Sequence, residues 1–397
     1  MKLYAQMGHG DGDKTTRALS EGLIDGAILS PRDWRPEGIE TKIAPLVAAN
    51  SDADIMIDPQ FYATFAASAE TARTGKLTEW PYFASVRKSD LEITMETDRI
   101  LRETMQYILT LPVTACIAPN IYVNRSFDSR EAVIAKNFIR NTRRVYSEFG
   151  DSRPLFATIA VSREALLERV DFQEFLNDIT MLKDPPDGFY ILVGSRGTDA
   201  RTDIFHADVI ARWMLMNQSL SVNGFETING YSDLVSPFLG AAGGNAGAFG
   251  WYSNLRTFSL DRFMPASGGG RQPIKRYLSK SLLNRITFTE RDALSTIVPS
   301  TTNGLSHDAD YEQPDPEPDR TVEALQSWEA MRAICSDIAL DDIDAGLAAG
   351  QAAIMRAEAT YTRIADAGVS LDRKSSANHL DSLREGIVEF KEMAGLA

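Results

Sequence analysis

The sequence predicts an α/β protein built as a (β/α)8 barrel of TIM type, followed by an acidic C-terminal helical extension. Three observations lead there. Short apolar runs alternate with longer amphipathic segments, the pattern of strands each followed by a helix. Eight such runs are present, most of them ended by a polar or turn-forming residue. The chain has 397 residues, room for a barrel of about 250 residues and an appendage. An open, doubly wound sheet of eight strands is the competing topology.

The elements follow in order. A first strand spans Lys2–Met7, then a Gly-rich loop and a helix at Lys14–Glu21. The second strand is Gly26–Ser30 and the third Ala53–Ile57, which stops at Asp58-Pro59. A helix covers Ser89–Leu109 with Ser89 as its cap. The fourth strand is Val113–Ala118, and Ser129–Phe149 is a helix with Ala132, Val133, Ala135, Ile139, Val145 and Phe149 as apolar positions. Leu155–Val161 is the fifth strand, with a helix over residues 163–182. The turn Pro185-Pro186-Asp187-Gly188 leads into Phe189–Val193, and a helix follows at Asp203–Leu220. Phe225–Ile228 and Ala248–Trp251 complete the strands, with a short helix at Ser232–Leu239 between them.

The barrel is thus assigned to residues 1–300. Residues 301–320 read as an acidic, Pro-rich linker, since His307–Arg320 is dense in Asp, Glu and Pro. Residues 321–397 form the helical extension, with helices at Thr321–Ile338, Asp341–Ala367 and Ser375–Met393. Charge separates the parts. The formal net charge is −14; residues 301–397 hold 19 Asp and Glu against 8 Lys and Arg, a net of −11, and residues 1–300 keep −3. Such a chain is no general polyanion binder, and contact with nucleic acid would need local basic patches. The two cysteines, Cys116 and Cys335, lie far apart, which argues against a disulfide framework or a Cys-based zinc site. The N-terminal stretch has no apolar signal core and no apolar run reaches 18 residues, so the expectation is a cytoplasmic protein without a membrane partner.

In a barrel, loops after strands carry function and loops before strands carry stability. Gln6, His9, Asp11 and Asp13 follow the first strand, Arg32 the second, and Asp58, Gln60 and Tyr62 the third. Asn120 and Tyr122 follow the fourth, Ser195 and Arg196 the sixth, Asn229, Tyr231 and Asp233 the seventh, and Trp251, Asn254 and Arg256 the eighth. Asp58, directly after Ile55-Met56-Ile57, is a partly desolvated carboxylate able to act as a base or to read N–H groups; helix capping is its bland alternative. His9, Asp11 and Asp13 offer one imidazole and two carboxylates to a divalent metal, although Gly-Asp-Gly-Asp is also a common turn. No cofactor is otherwise expected. Ser195-Arg196-Gly197 is an anion candidate. Residues 243–250, Gly-rich but before a strand, read as a tight turn rather than a phosphate loop, because no Lys-Ser/Thr follows. The basic stretch 268–285, with Arg271, Lys275, Arg276, Lys280 and Arg285, reads first as the charged face of a packed helix and second as a phosphate contact.

Several stretches resemble one barrel family, the tRNA-guanine transglycosylases. IMIDPQFYATF is similar to that family's strand ending in Asp, FYILVGSRG to its sixth-strand region, NGYSDLVSPFLGAAGGNAGAFGWYSNLR to its closing segment and NHLDSLREGIVEFKEM to its last helix. The resemblance implies Asp58 as a base-reading group and Trp251 or Tyr62 as a stacking ring. The family's nucleophilic Asp falls on Gly250-Trp251 and its Cys/His zinc cluster has no counterpart, which implies a divergent or non-catalytic member. Three functions follow: a barrel acting on or binding a nucleobase, nucleoside or nucleic acid; a non-catalytic barrel subunit that meets a protein partner through its tail; and an enzyme for a small phosphorylated metabolite.

Overall fold

The computed structural model describes residues 1–68, 72–197, 204–264, 273–311 and 319–396. Its centre is a ring of parallel strands: β1 (Lys2–Gln6), β2 (Gly26–Leu29), β3 (Asp54–Ile57), β4 (Cys116–Ala118), β5 (Tyr122–Val123), β6 (Leu155–Ser162), β7 (Gly188–Gly194), β8 (Glu226–Gly230) and β9 (Ala246–Phe249). They are ordered β3-β2-β1-β9-β8-β7-β6-β4, with β5 continuing beside β6 above β4. Every pairing in this sheet is parallel. No ladder joins β3 to β4, but the Thr114 amide donates to Ile55 O at 2.8 Å and the Ile55 amide donates to Thr114 Oγ1 at 2.8 Å. The sheet is therefore a nearly closed, eight-position barrel, and the open sheet is excluded. Its strands are buried along almost their whole length, as parallel strands covered on both faces must be.

Two glycines let the strands approach. A Cβ at Gly26 would lie 2.2 Å from Asp54 O, and one at Gly188 would lie 2.3 Å from Glu226 O. Either would push adjacent ladders apart.

Helices follow most strands. Arg130–Tyr146 is capped by Ser129, whose hydroxyl accepts from the Ala132 amide, and it buries Ala132, Ala135, Phe138, Ile139 and Val145. The expected helix at Ser89–Leu109 is interrupted: Lys88–Leu91 and Thr94–Leu109 are separate, with Ile93 extended between them. The one over 163–182 likewise divides at Glu168 into Arg163–Leu167 and Arg169–Thr180. Ile39–Ala49 is a helix that the sequence pattern hid, because Pro45 sits inside it. Asp203, expected to start the next helix, lies outside the described residues; that helix runs Ala207–Val222.

Beyond β9 the chain departs further from expectation. Residues Arg276–Ser279 (β10) and Asn284–Thr287 (β11) pair as an antiparallel hairpin where a charged helix face was expected, and Arg271 lies outside the described residues. His307–Tyr311 is no exposed linker. Ser306–Tyr311 forms a 3-10 turn with Asp308 and Tyr311 buried, because Asp308 accepts from the Tyr277 hydroxyl at 2.7 Å and from the Gly304 and Leu305 amides. Helices Arg320–Ile338, Ile343–Asp366 and Asn378–Ala394 follow. The first lies against helices Lys14–Ser20 and Ser236–Ala241, where a last barrel helix belongs. Trp328 donates its indole N–H to Phe249 O at 3.3 Å, and Arg332 pairs with Asp25 at 2.9 Å. Asn378–Ala394 packs on Ala207–Val222, with Gly386 over Ile210. Among the described residues no helix is long and apolar enough to cross a membrane.

Candidate functional site at the barrel mouth

The C-terminal strand ends converge on a polar cluster beneath a cleft. Asp58, directly after β3, is 0 % exposed. Its Oδ2 accepts from the Tyr62 hydroxyl at 2.7 Å, and its Oδ1 accepts from the Gln60 amide at 3.0 Å. The Tyr190 hydroxyl, inside the barrel from β7, is 3.3 Å from Asp58 Oδ2 and 3.2 Å from Gln6 Oε1, and its one proton serves one of them at a time. Gln60 is held in the left-handed region at φ 56°, from where its side chain donates to Ser30 Oγ at 2.7 Å and accepts from the Arg32 amide at 2.9 Å. Tyr231 is also left-handed, at φ 54°. Such conformations cost of order 1–3 kcal/mol each and persist where surroundings over-determine them.

Further polar pairs lie outward of this carboxyl: Tyr62 donates to Asp58, Arg262 donates to the Tyr231 hydroxyl at 2.8 Å, and Arg262 pairs with Asp33 at 3.4 Å. Phe258 packs against Tyr62, Tyr122 and Tyr231 and closes the side of the cluster. Burial pushes the Asp58 carboxyl up to about 6, with the Tyr62 and Gln60 hydrogen bonds and the Arg262 charge holding it back. Burial beside that carboxyl also lifts Tyr62 and Tyr190 well above the usual phenol range, and Tyr231 to about 12, where Arg262 opposes the rise. Burial works against the charge on Arg262, but Tyr231 and Asp33 outweigh it and the guanidinium is held above its ordinary value.

Above Arg262 lies a cleft of about 420 Å³ lined by His9, Arg32, Asp33, Gly75, Lys76, Tyr252, Asn254, Leu255 and Arg262. It offers a ring face, an amide, a carboxylate and two guanidiniums. Asp58 itself does not line it.

The other expected site residues go elsewhere. Asp11 pairs with Lys42 at 3.0 Å, Asp13 accepts from the Thr321 hydroxyl at 3.1 Å, and His9 accepts the Trp251 indole N–H on its carbonyl at 3.1 Å. Among the described residues no three His, Cys, Asp or Glu side chains gather as a metal cluster, so His9, Asp11 and Asp13 do not come together as metal ligands. Asn120 is buried and donates to Thr158 O and Ala135 O. Asn229 faces away from the mouth, accepting from Trp213 Nε1 at 2.7 Å and bonding Asn217 behind β8. The single Ser195 hydroxyl proton has Gly197 O at 2.6 Å and Phe258 O at 3.2 Å as alternative acceptors, and Arg196 reaches Glu164 at 3.1 Å on the surface. Trp251 is 2 % exposed, edge-on to Trp328, and lines with Arg256 a separate pocket on the tail side. Asp33, Tyr190, Tyr252 and Arg262 were missed. Only Tyr190 left a signal, since alternation along an apolar strand sends every second side chain into the barrel.

No protein-family model matches this chain, and no curated protein matches it. Among solved structures it is similar to a nitroalkane oxidase from Streptomyces ansochromogenes, at 11% identity over 99% of this chain and 97% of that one, with a TM-score of 0.30. It is also similar to a dihydrodipicolinate synthase from Oceanobacillus iheyensis, at 10% identity over 98% and 96%, with a TM-score of 0.21. At these scores neither bears on ligand or reaction; it is the strand order that defines the TIM-type barrel.

Proposed function

We propose that this barrel binds a nucleobase or nucleoside in the cleft at its C-terminal mouth, in keeping with the resemblance to tRNA-guanine transglycosylases. The observation that carries the reading is the lining of the cleft: Tyr252 presents a ring, while Asn254, Asp33, Arg32 and Arg262 present donors and acceptors at its edge, the complement of a planar heterocycle with alternating polar edges. In this reading Asp58 is a positioning residue. It anchors Tyr62, which packs on Phe258 together with Tyr231, and Tyr231 holds the Arg262 guanidinium under the ligand.

The test is a thermal-shift panel of free bases, nucleosides, sugar phosphates and divalent cations on the full chain, repeated with Tyr252→Ala and Asn254→Ala. Both residues are partly exposed, so the variants fold. A base or nucleoside at 100 times its dissociation constant stabilises the wild type by about 2.7 kcal/mol, and the shift shrinks in both variants. A shift unchanged in both would remove the cleft from consideration.

One observation favours a second reading, a non-catalytic barrel. Asp58, Tyr62 and Tyr190 beneath the cleft bond one another and are fully covered, so the Asp58 carboxyl does not face the ligand. Binding without turnover of any nucleoside would be its result.

A further inference from the structure

The acidity of this chain is reversed at one place inside it. A pocket of about 410 Å³ opens between the segment after β9, the β10–β11 hairpin, the start of helix Arg320–Ile338 and residues 372–374. Six cations line it, Arg256, Arg276, Arg285, Arg320, Arg373 and Lys374, against the carboxylates of Asp233, Glu323 and Asp372. This is an excess of three positive charges in a protein of formal net charge −14.

Three of the guanidiniums are buried, with side chains 4% exposed at Arg285 and 12% at Arg256 and Arg276. Arg285 donates one Nη to Asp233 Oδ2 at 2.7 Å and lies over the Phe249 ring, but its Nε and other Nη have no hydrogen-bond partner. Arg256 donates to Gly250 O and Trp251 O. Burial, then the like charge of Arg285, pulls Arg256 down to about 10, with Glu323 and Asp233 opposing. Arg276 is tied to Asp372 at 2.5 Å and to Ser375, and Arg320 to Glu323. Asp233 is held at φ 37°, and its Oδ1 also lacks a partner. Like charges crowded in a desolvated place are costly without a counter-charge, and buried donors without acceptors are costly too.

We infer that this pocket seats the phosphate of a small phosphorylated ligand, the guanidinium excess neutralising the dianion and Asp233 accepting from a neighbouring hydroxyl of the same molecule. Phosphate matches better than carboxylate, since the excess of charge exceeds one and guanidinium forks fit phosphate oxygens. A small ligand matches better than a nucleic acid strand, since the acidic remainder of the surface repels a polyanion. The inference does not rest on the reading of the mouth cleft, although Tyr252 lines both spaces.

The test is calorimetric titration of the full chain, at low ionic strength, with inorganic phosphate and then with a nucleoside monophosphate, for wild type, Arg373→Glu and Arg276→Gln. Arg373 is exposed, so its reversal leaves the fold intact, which an unchanged melting curve verifies. Both phosphates are expected to bind, and each variant to weaken them by about tenfold or more, the fold-change of losing one charge-assisted hydrogen bond. Loss of inorganic phosphate binding in these two variants reports on this pocket, whereas a nucleoside without phosphate reports on the mouth. Failure of the folded wild type to bind either phosphate would overturn the inference. So would affinities unchanged in both variants, or binding of a short RNA together with neither small phosphate.

Discussion

Asp58 is a fully buried carboxyl, and its charge is held in the barrel by Tyr62, the Gln60 amide, the field of Arg262 and the Tyr190 hydroxyl. Its value is raised from 3.8 to about 6 on folding, so the folded protein holds the proton more tightly than the unfolded chain does. Stability linked to Asp58 is therefore complete below about pH 4 and falls as pH rises toward 6, by about 3 kcal/mol in all, then levels off. Denaturant melts of wild type and Asp58→Asn between pH 4 and 7 check this: the wild type should lose stability relative to the variant as pH rises, and parallel profiles would contradict it. Tyr62→Phe removes a donor to that carboxylate and should cost about 1.5–3 kcal/mol at neutral pH, less at pH 4, by the same melts. Residue-level legibility was uneven for physical reasons. Asp58 was visible because an apolar run stops at Asp-Pro. Asn229 was misplaced because β8 extends to Gly230, and in a strand the position fixes the face, so it meets Trp213 and Asn217 rather than a ligand. Arg262 was invisible because it enters the mouth from a segment without periodicity, and only the fold brings it to Tyr231.

At the scale of elements, most barrel strands were legible because they are apolar on both faces, as in Leu155–Ser162 and Gly188–Gly194, which leaves a continuous run rather than an alternation. The β10–β11 hairpin was not. Its strands carry Arg276 and Arg285, whose burial depends on Asp372 and Asp233, partners 96 and 52 residues away in sequence. The helix Ile39–Ala49 was masked by Pro45, and the break at Ile93 carries no Gly or Pro to announce it. Close strand approach gives the sharpest prediction here. Gly26→Ala places a methyl 2.2 Å from a backbone carbonyl of β3, which must move, so the variant should lose about 1–3 kcal/mol in urea melts. An unchanged midpoint would mean that the β2–β3 spacing is looser than described. Ser129→Ala, which strips the cap of Arg130–Tyr146, should cost about 1 kcal/mol by the same measurement.

For the whole molecule, the C-terminal helices fall close to where they were expected, and what they pack against is the part the sequence hides. Composition marks residues 321–397 as acidic and helical but cannot say what they cover. They bury Leu325, Trp328, Met331, Ile354, Ile387 and Phe390, and they anchor to the first strands through Arg332 with Asp25, 307 residues apart. His307 joins them, bonded to Glu21 and Asp310. Burial works to lower its value, yet these carboxylates raise it. A chain ending at residue 319 should therefore fail to melt cooperatively in a far-UV dichroism scan, and a sharp transition at the full-length temperature would make the helices a separate module. That a ligand belongs at the C-terminal strand ends is the central claim, and locating one bound there tests it most directly. A crystal of the full chain with a nucleoside from the thermal-shift panel should show the base beside Tyr252, within reach of Asn254, Asp33 and Arg262. Density elsewhere on the barrel, with that cleft empty, would contradict the account.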